Sequence, residues 1–414
     1  MLVVDRLGAG FLGPYGNTWL ETPQWNRLAT QSLLCETVIS DSPDLHAVYR
    51  SYWTGRHAWQ KQADGADSET SSETSPALAV ICSAVGGTTL LITDDPAVAS
   101  HPLAAGFNSV VILPAQAGKL AEDIEETASF RSMTGAMAAL EDAMAAGNGD
   151  APALVWIHLR GLAGPWDGPL ELRQQFADED DPTPPEIVEP PERMLPKGFD
   201  PDELLGLVHA YAGQVSLLDM CLELFLDAVD NLPQAGQTLL AVTSPRGYPL
   251  GEHRRVGPCD SALFAELLQV PLMVRFPTGE GALERTQRLV QPADLHATLV
   301  DWLGLTEANA IAGSSLWKLV QGEPLAAREA AIAVSETERA IRTPAWFLRE
   351  SHQEGERRQE LFAKPDDRWE ANEIASRAEE IVEALSAALD QFQEAAGNSA
   401  ELPTLDEALL DARR

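Results

Sequence analysis

An α/β fold with a mostly parallel sheet flanked by helices is predicted by three features of this 414-residue chain. Strand-like apolar runs alternate with helical patterns, the order that parallel strands joined by crossover helices require. The chain is long enough for one large α/β domain plus a smaller one, with a sizeable core. Beyond about residue 325 the pattern changes to short strands followed by one helix, which predicts a small antiparallel subdomain. The expected organisation is therefore residues 1–324 as the α/β domain, 325–398 as a sheet-plus-helix subdomain, and 399–414 as a tail.

The apolar runs are Met1–Val4, Thr89–Thr93, Ser109–Leu113, Ala153–His158, Thr238–Val242 and Val270–Val274. The clearest helix covers Leu204 to Val229. Leu204, Val208, Tyr211, Val215, Leu218, Leu222, Phe225 and Val229 recur there in steps of three and four. A second helix is expected from Pro292 to Leu303, with proline in its first turn and Gly304 just past its end. Leu78–Val85 reads as strand or helix by periodicity alone. Ala63–Pro76 and Ala177–Asp202, rich in acidic residues, Ser, Thr or Pro, read as mobile surface segments. Ala330–Ser335, Arg339–Arg349 and Glu360–Phe362 are the expected C-terminal strands. A helix follows with Ile374, Ile381, Leu385, Leu389 and Phe392 on one face. Thr404 and Glu407 read as a capping box opening a last short helix.

Composition narrows the function. Apolar residues make up 45% and charged residues 22% of the chain, as in soluble globular proteins. The formal net charge of −34 argues against nucleic acid or an anionic membrane as partner, because both would be repelled. Four cysteines (Cys35, Cys82, Cys221, Cys259) show neither metal spacing nor a dense disulfide pattern. No run reaches transmembrane length and no secretory leader precedes the first strand. A cytoplasmic location is the expectation, unless the true start lies upstream.

A series of motifs then appears in order. Asp5 ends the first strand, and Tyr15-Gly16-Asn17 is a turn before Thr22-Pro23. Ser42-Pro43 precedes Thr54-Gly55-Arg56. Thr243-Ser244-Pro245-Arg246-Gly247 follows a strand, and Leu250-Gly251-Glu252-His253 comes next. Val270-Pro271-Leu272, Asp294-Leu295 with Thr298-Leu299, and Gly313-Ser314-Ser315-Leu316 complete the series. Their order and spacing resemble the sulfatases of the alkaline phosphatase superfamily over nearly the whole chain. The resemblance implies that fold, a helix at Leu78–Val85, and a small C-terminal sheet-plus-helix subdomain.

The resemblance also implies what has changed at the site. Asp5 matches the family's first metal-binding aspartate, but Arg6 stands where its partner aspartate should be. Leu45 takes the place of the nucleophile, a cysteine or serine that the family oxidises to formylglycine. Leucine has no lone pair to offer. Tyr49 takes the place of an arginine, Ala163 of a histidine, Pro258 of a lysine, and Pro245 and Arg246 of two metal ligands. His158 reads as a structural strand histidine. One remaining carboxylate does not hold Ca²⁺, which requires several oxygens. The expected cofactor is therefore none, with Ca²⁺ as the alternative. The resulting expectation is a sulfatase-fold pseudoenzyme with a binding or scaffolding role. Its vestigial or anion-binding residues are Asp5, Arg6, Arg56, Arg246 and His253, and its partner is an unknown protein or an anionic or glycan ligand. Arg6 and Arg246 fit an oxyanion or, equally, an internal ion pair with Asp5. The alternative is a diverged sulfuric or phosphoric ester hydrolase built around Asp5 and His253, with Asp44 and His46 within reach of a shifted alignment.

Overall fold

The computed structural model describes residues 1–60, 76–114, 118–146, 151–305, 313–353, 356–398 and 404–411. Its strands are β1 (Leu2–Val4), β2 (Leu33–Ile39), β3 (Thr88–Thr93), β4 (Ser109–Ile112), β5 (Ala153–Leu159), β6 (Arg193–Met194), β7 (Leu240–Thr243), β8 (Arg255–Val256), β9 (Gln269–Arg275), β10 (Arg285–Val290), β11 (Ala331–Val334), β12 (Glu338–Arg342), β13 (Trp346–Gln353) and β14 (Glu356–Ala363). Eight form one sheet in the order β10-β2-β9-β7-β1-β5-β3-β4. β1 runs parallel to β5 and β7, and β3 parallel to β4 and β5, while β7 and β9 are antiparallel. The α/β class expected from the sequence is the one observed.

The chain divides into two compact units. The first comprises Met1–Glu36, Cys82–Cys259 and Val270–Thr286; the second comprises Thr37–Ile81, Asp260–Gln269 and Gln287–Arg414. In the first unit, strands covered on both faces become near-continuous apolar runs. Leu2, Val4, Ile92 and Ile157 are almost fully buried in one cluster with Trp166, Tyr211, Leu218, Leu222 and Phe225. The last four lie on the helix Pro201–Asp230, which begins where Asp200 caps the amide of Asp202 and Pro201 takes the first turn. Each such buried Leu or Phe contributes about 1.5–3 kcal/mol. The observed helix contains the expected one and adds three residues before Leu204 and one after Val229.

The second unit contains the four-stranded antiparallel sheet β11-β12-β13-β14. One face packs Ile332, Ile341, Leu348 and Leu361 against Val382, Leu385, Leu389 and Phe392 of the helix Glu379–Asn398. Three sequence expectations need correction here. Arg339–Arg349 is two strands rather than one. Pro344 has no amide to donate to the ladder, and Thr343 and Trp346 close the turn between them. Ile374 lies before the last long helix, packed on the same cluster. The tail turn Glu407–Leu409 is capped by Asp406 through the amide of Ala408, not by Thr404. Leu78–Ala84 is a helix, as the resemblance implied, and the second expected helix is observed as Pro292–Trp302. Of the two segments read as mobile, residues 61–75 lie outside the described residues, and Ala177–Asp202 contains β6, paired with β8. No described helix is long and apolar enough to cross a membrane.

Candidate functional site

The ends of four neighbouring strands of the first unit deliver the site, where open α/β sheets place their ligands. β1 delivers Asp5, β7 leads to Arg246, β5 carries His158, and β3 leads to Asp94 and Asp95. Asp5 is held by its backbone: its amide donates to Leu159 O at 3.0 Å, and its carbonyl accepts from the Leu162 amide at 3.0 Å. Gly161 (φ +51°) makes this close approach possible. A Cβ there would meet Val4 Cγ1 at 2.5 Å and Asp5 O at 3.0 Å.

The Asp5 side chain is fully buried, and Arg246 grips it bidentately. Nε donates to Oδ1 at 3.0 Å and the terminal NH2 to Oδ2 at 2.8 Å. Burial alone would raise the Asp5 carboxyl, but the charge and hydrogen bonds of Arg246, helped by Arg6, outweigh it and bring the pKa to about 2. Arg246 is itself positioned by Ser244, whose hydroxyl donates to Arg246 O at 2.7 Å and accepts from the Leu7 amide at 3.2 Å.

Arg6 is buried beside this pair with a left-handed backbone (φ +64°), an uncommon conformation for a residue with a side chain. It donates to Gly247 O at 3.2 Å, and its own carbonyl accepts from Tyr211 Oη at 2.8 Å. Burial and the nearby charge of Arg246 lower its pKa to about 10, against the pull of Asp5. The Tyr211 ring packs against Trp166 and Tyr248.

His158 is fully buried and lies in register with Val3 on one side and Thr93 on the other. Its Nε2 is 3.7 Å from Asp95 Oδ2. One ligand atom from each of Asp5, Asp95 and His158 lies within 4.8 Å of the others. Burial pushes the Asp95 carboxyl up, but His158 and the Ala97 amide pull it below its ordinary value. The sequence reading gives neither Asp95 nor His158 a site role. The available signal was a carboxylate pair directly after a buried strand. Asp94 is committed elsewhere, accepting from the Arg160 amide and the Ser132 hydroxyl, each at 2.7 Å.

His253 lies in the turn Glu252–Arg254, in which His253 (φ +49°) and Arg254 (φ +58°) are left-handed, as is Gly251 (φ +110°) just before it. Its carbonyl accepts from Arg255 at 2.9 Å. Leu45, Tyr49 and Arg56 belong to the second unit. Leu45 is the buried first residue of the helix Leu45–Thr54, whose N-terminus Asp44 caps through the Ala47 amide at 2.8 Å. Tyr49 is buried edge-on to Trp53. Arg56 follows the left-handed Gly55, with its amide donating to Thr54 Oγ1 at 3.3 Å. The first unit thus brings Asp5, Arg6 and Arg246 together.

The sequence profile of the family described as Sulfatase matches residues 1–305. The chain belongs to the sulfatase family. It is 28% identical over 129 residues to the multifunctional alkaline phosphatase superfamily protein PehA of Trinickia caryophylli, a stretch covering 30% of this chain and 24% of that protein. It is 25% identical over 114 residues to the N-acetylglucosamine-6-O-sulfatase of Bacteroides thetaiotaomicron, covering 27% and 20%. The chain thus spans about a quarter of the length of the first and a fifth of the second. In fold it is similar to the phosphonate monoester hydrolase of Agrobacterium radiobacter, with TM-score 0.70, 18% identity and coverage of 94% and 93%. It is also similar to BT4656, solved with its substrate D-glucosamine-2-N,6-O-disulfate, with TM-score 0.74, 15% identity and coverage of 96% and 97%. At these identities the structural likeness establishes the fold alone.

The family resemblance implies Ca²⁺, and the residues around Asp5 do not fit it. Ca²⁺ takes six to eight oxygens. Here both carboxylate oxygens of Asp5 already accept from a guanidinium, a second guanidinium adjoins them, and Pro245 offers no side-chain ligand.

Proposed function

We propose that this member of the sulfatase family does not hydrolyse esters and that its site region serves binding or scaffolding, with a protein or an anionic or glycan ligand as partner. The observation that carries the reading is the bidentate Asp5–Arg246 pair, which spends the retained carboxylate on an internal cation. On this reading Leu45 stands in the nucleophile's place, so the covalent route is closed. Groups that act as a unit in catalysis are strongly non-additive, so one repair among several losses recovers little.

The test is turnover of aryl sulfates, aryl phosphates and phosphonate monoesters by rigorously purified protein. Wild type is expected to stay at background, and Leu45→Cys alone is expected to stay there too. Wild-type turnover abolished by Asp5→Ala or His253→Ala would replace this reading with a diverged hydrolase.

A further inference from the structure

Arg246 does more than neutralise one carboxylate. We propose that its guanidinium is a tethered cation standing in for a metal ion, and that Asp5, Asp95 and His158 form a latent divalent site that opens only when Arg246 is withdrawn. The proposal deepens the non-hydrolytic reading of the site and rests on it.

The geometry supports a small ion. Three adjacent strands of the sheet, β1, β5 and β3, supply the three side chains from their carboxyl ends. Ligand atoms around a tetrahedral zinc, with bonds near 2.1 Å, stand about 3.4 Å apart. His158 Nε2 and Asp95 Oδ2 are 3.7 Å apart, and the full set lies within 4.8 Å, so only a small contraction is needed. His158 and Asp5 are fully buried, and most of the Asp95 side chain is covered. His158 is held on β5, Asp5 directly follows β1, and Asp95, two residues past β3, is held by the Ala97 amide that donates to its Oδ1 at 2.7 Å.

The chemistry of the donors selects the ion. An imidazole with two carboxylates suits Zn²⁺ or Mn²⁺, whereas Ca²⁺ takes oxygen ligands throughout. The set also differs from the positions at which the sequence resemblance places the family's ligands, of which it shares only Asp5.

Electrostatics then explains why the intact protein excludes such an ion. The Arg246 guanidinium holds both Asp5 oxygens, and Arg6 adds a second positive charge at the same carboxylate. A divalent ion would have to displace one cation and lie beside the other. At the few ångströms involved, that repulsion is large even with substantial screening.

Zn²⁺ titration of wild type, Arg246→Ala and Arg246→Ala/His158→Ala tests the proposal, with Co²⁺ as a spectroscopic probe. Arg246→Ala is expected to bind one Zn²⁺ per chain, on the order of 100-fold tighter than wild type. It should also give Co²⁺ visible absorption that disappears when His158 is removed. If Arg246→Ala folds only with metal, Zn²⁺-dependent recovery of its cooperative unfolding is the same positive result. An Arg246→Ala protein that neither binds Zn²⁺ nor is rescued by it would overturn the proposal, as would wild type binding Zn²⁺ equally tightly. Ester turnover by metal-free wild type would instead defeat the non-hydrolytic reading, so the two failures are distinguishable.

Discussion

Asp5 and Asp294 are both buried carboxylates gripped by one arginine, and the rest of their surroundings differ. Asp5 takes its side-chain hydrogen bonds from Arg246 alone among the described residues. Asp294 accepts from Arg328 and also from the amides of Gln291 (2.8 Å) and Ser314 (2.6 Å). It closes the capping box of the helix Pro292–Trp302 and joins that helix to the segment beginning at Gly313. Thr298, one turn on, donates to Asp294 O at 2.6 Å and accepts from the Leu316 amide at 2.8 Å. The Asp-Leu-x-x-Thr-Leu and Gly-Ser-Ser-Leu motifs are thus two halves of one backbone junction. A residue that satisfies several buried amides resists replacement, because each amide left bare costs about 1–3 kcal/mol. On the proposed reading, residues around Asp5 that served chemistry alone were free to change.

The largest expected effect sharpens the scaffold side of this contrast. A Cβ on Gly313 would lie 2.0 Å from Ala293 O and 2.3 Å from Ala293 C, both backbone atoms that cannot turn aside. Gly313→Ala is expected to cost about 4 kcal/mol or more, or to abolish soluble folded protein. Urea denaturation within about 1 kcal/mol of wild type would show that the junction is not the constraint described.

Next in size is the loss of Arg246. Arg246→Leu strands a buried carboxylate and is expected to cost about 3 kcal/mol, while Asp5→Asn/Arg246→Leu recovers most of that loss. Arg328→Leu is expected to cost about 1–2 kcal/mol, because two backbone amides still satisfy Asp294. Equal losses at the two arginines, measured by the same denaturation, would erase the distinction between site and scaffold.

The same physics decides what was legible in the sequence. β1, β3, β5, β7 and β9 stood out because strands buried on both faces are unbroken apolar runs. β2 is not legible because Glu36 and Thr37 interrupt Leu33–Ile39, and β10 because four of the six residues of Arg285–Val290 are polar. Asp5 and Arg246 were each recognisable as strand-end residues. Their pairing spans 241 positions, and both an internal ion pair and an oxyanion site were compatible with the residues. His158 reads as structural from sequence because a lone histidine in a strand usually is. Only the register of β3 against β5 brings Asp95 to it.

The smallest expected effect compares Asp5 with a third buried carboxylate of the first unit. Asp219, on the helix Pro201–Asp230, caps the distant helix Pro23–Thr30 by accepting from the amides of Gln24 (3.0 Å) and Trp25 (3.1 Å). Burial raises its pKa to about 6 despite those two bonds, whereas Arg246 takes Asp5 to about 2. The signs are therefore opposite. Asp5 contributes stability that is present above its unfolded value of 3.8 and lost as pH falls toward 2. Folded Asp219 retains a proton that the unfolded chain has released, so its contribution is greatest below 3.8 and declines as pH rises toward 6. Unfolding free energies compared between wild type and Asp219→Asn are expected to differ in slope only in that upper window. Asp5→Asn/Arg246→Leu is expected to differ from wild type in slope only in the acid window. A flat difference for Asp219→Asn across the upper window would mean that the two amides hold the carboxylate ionised, as the guanidinium does at Asp5.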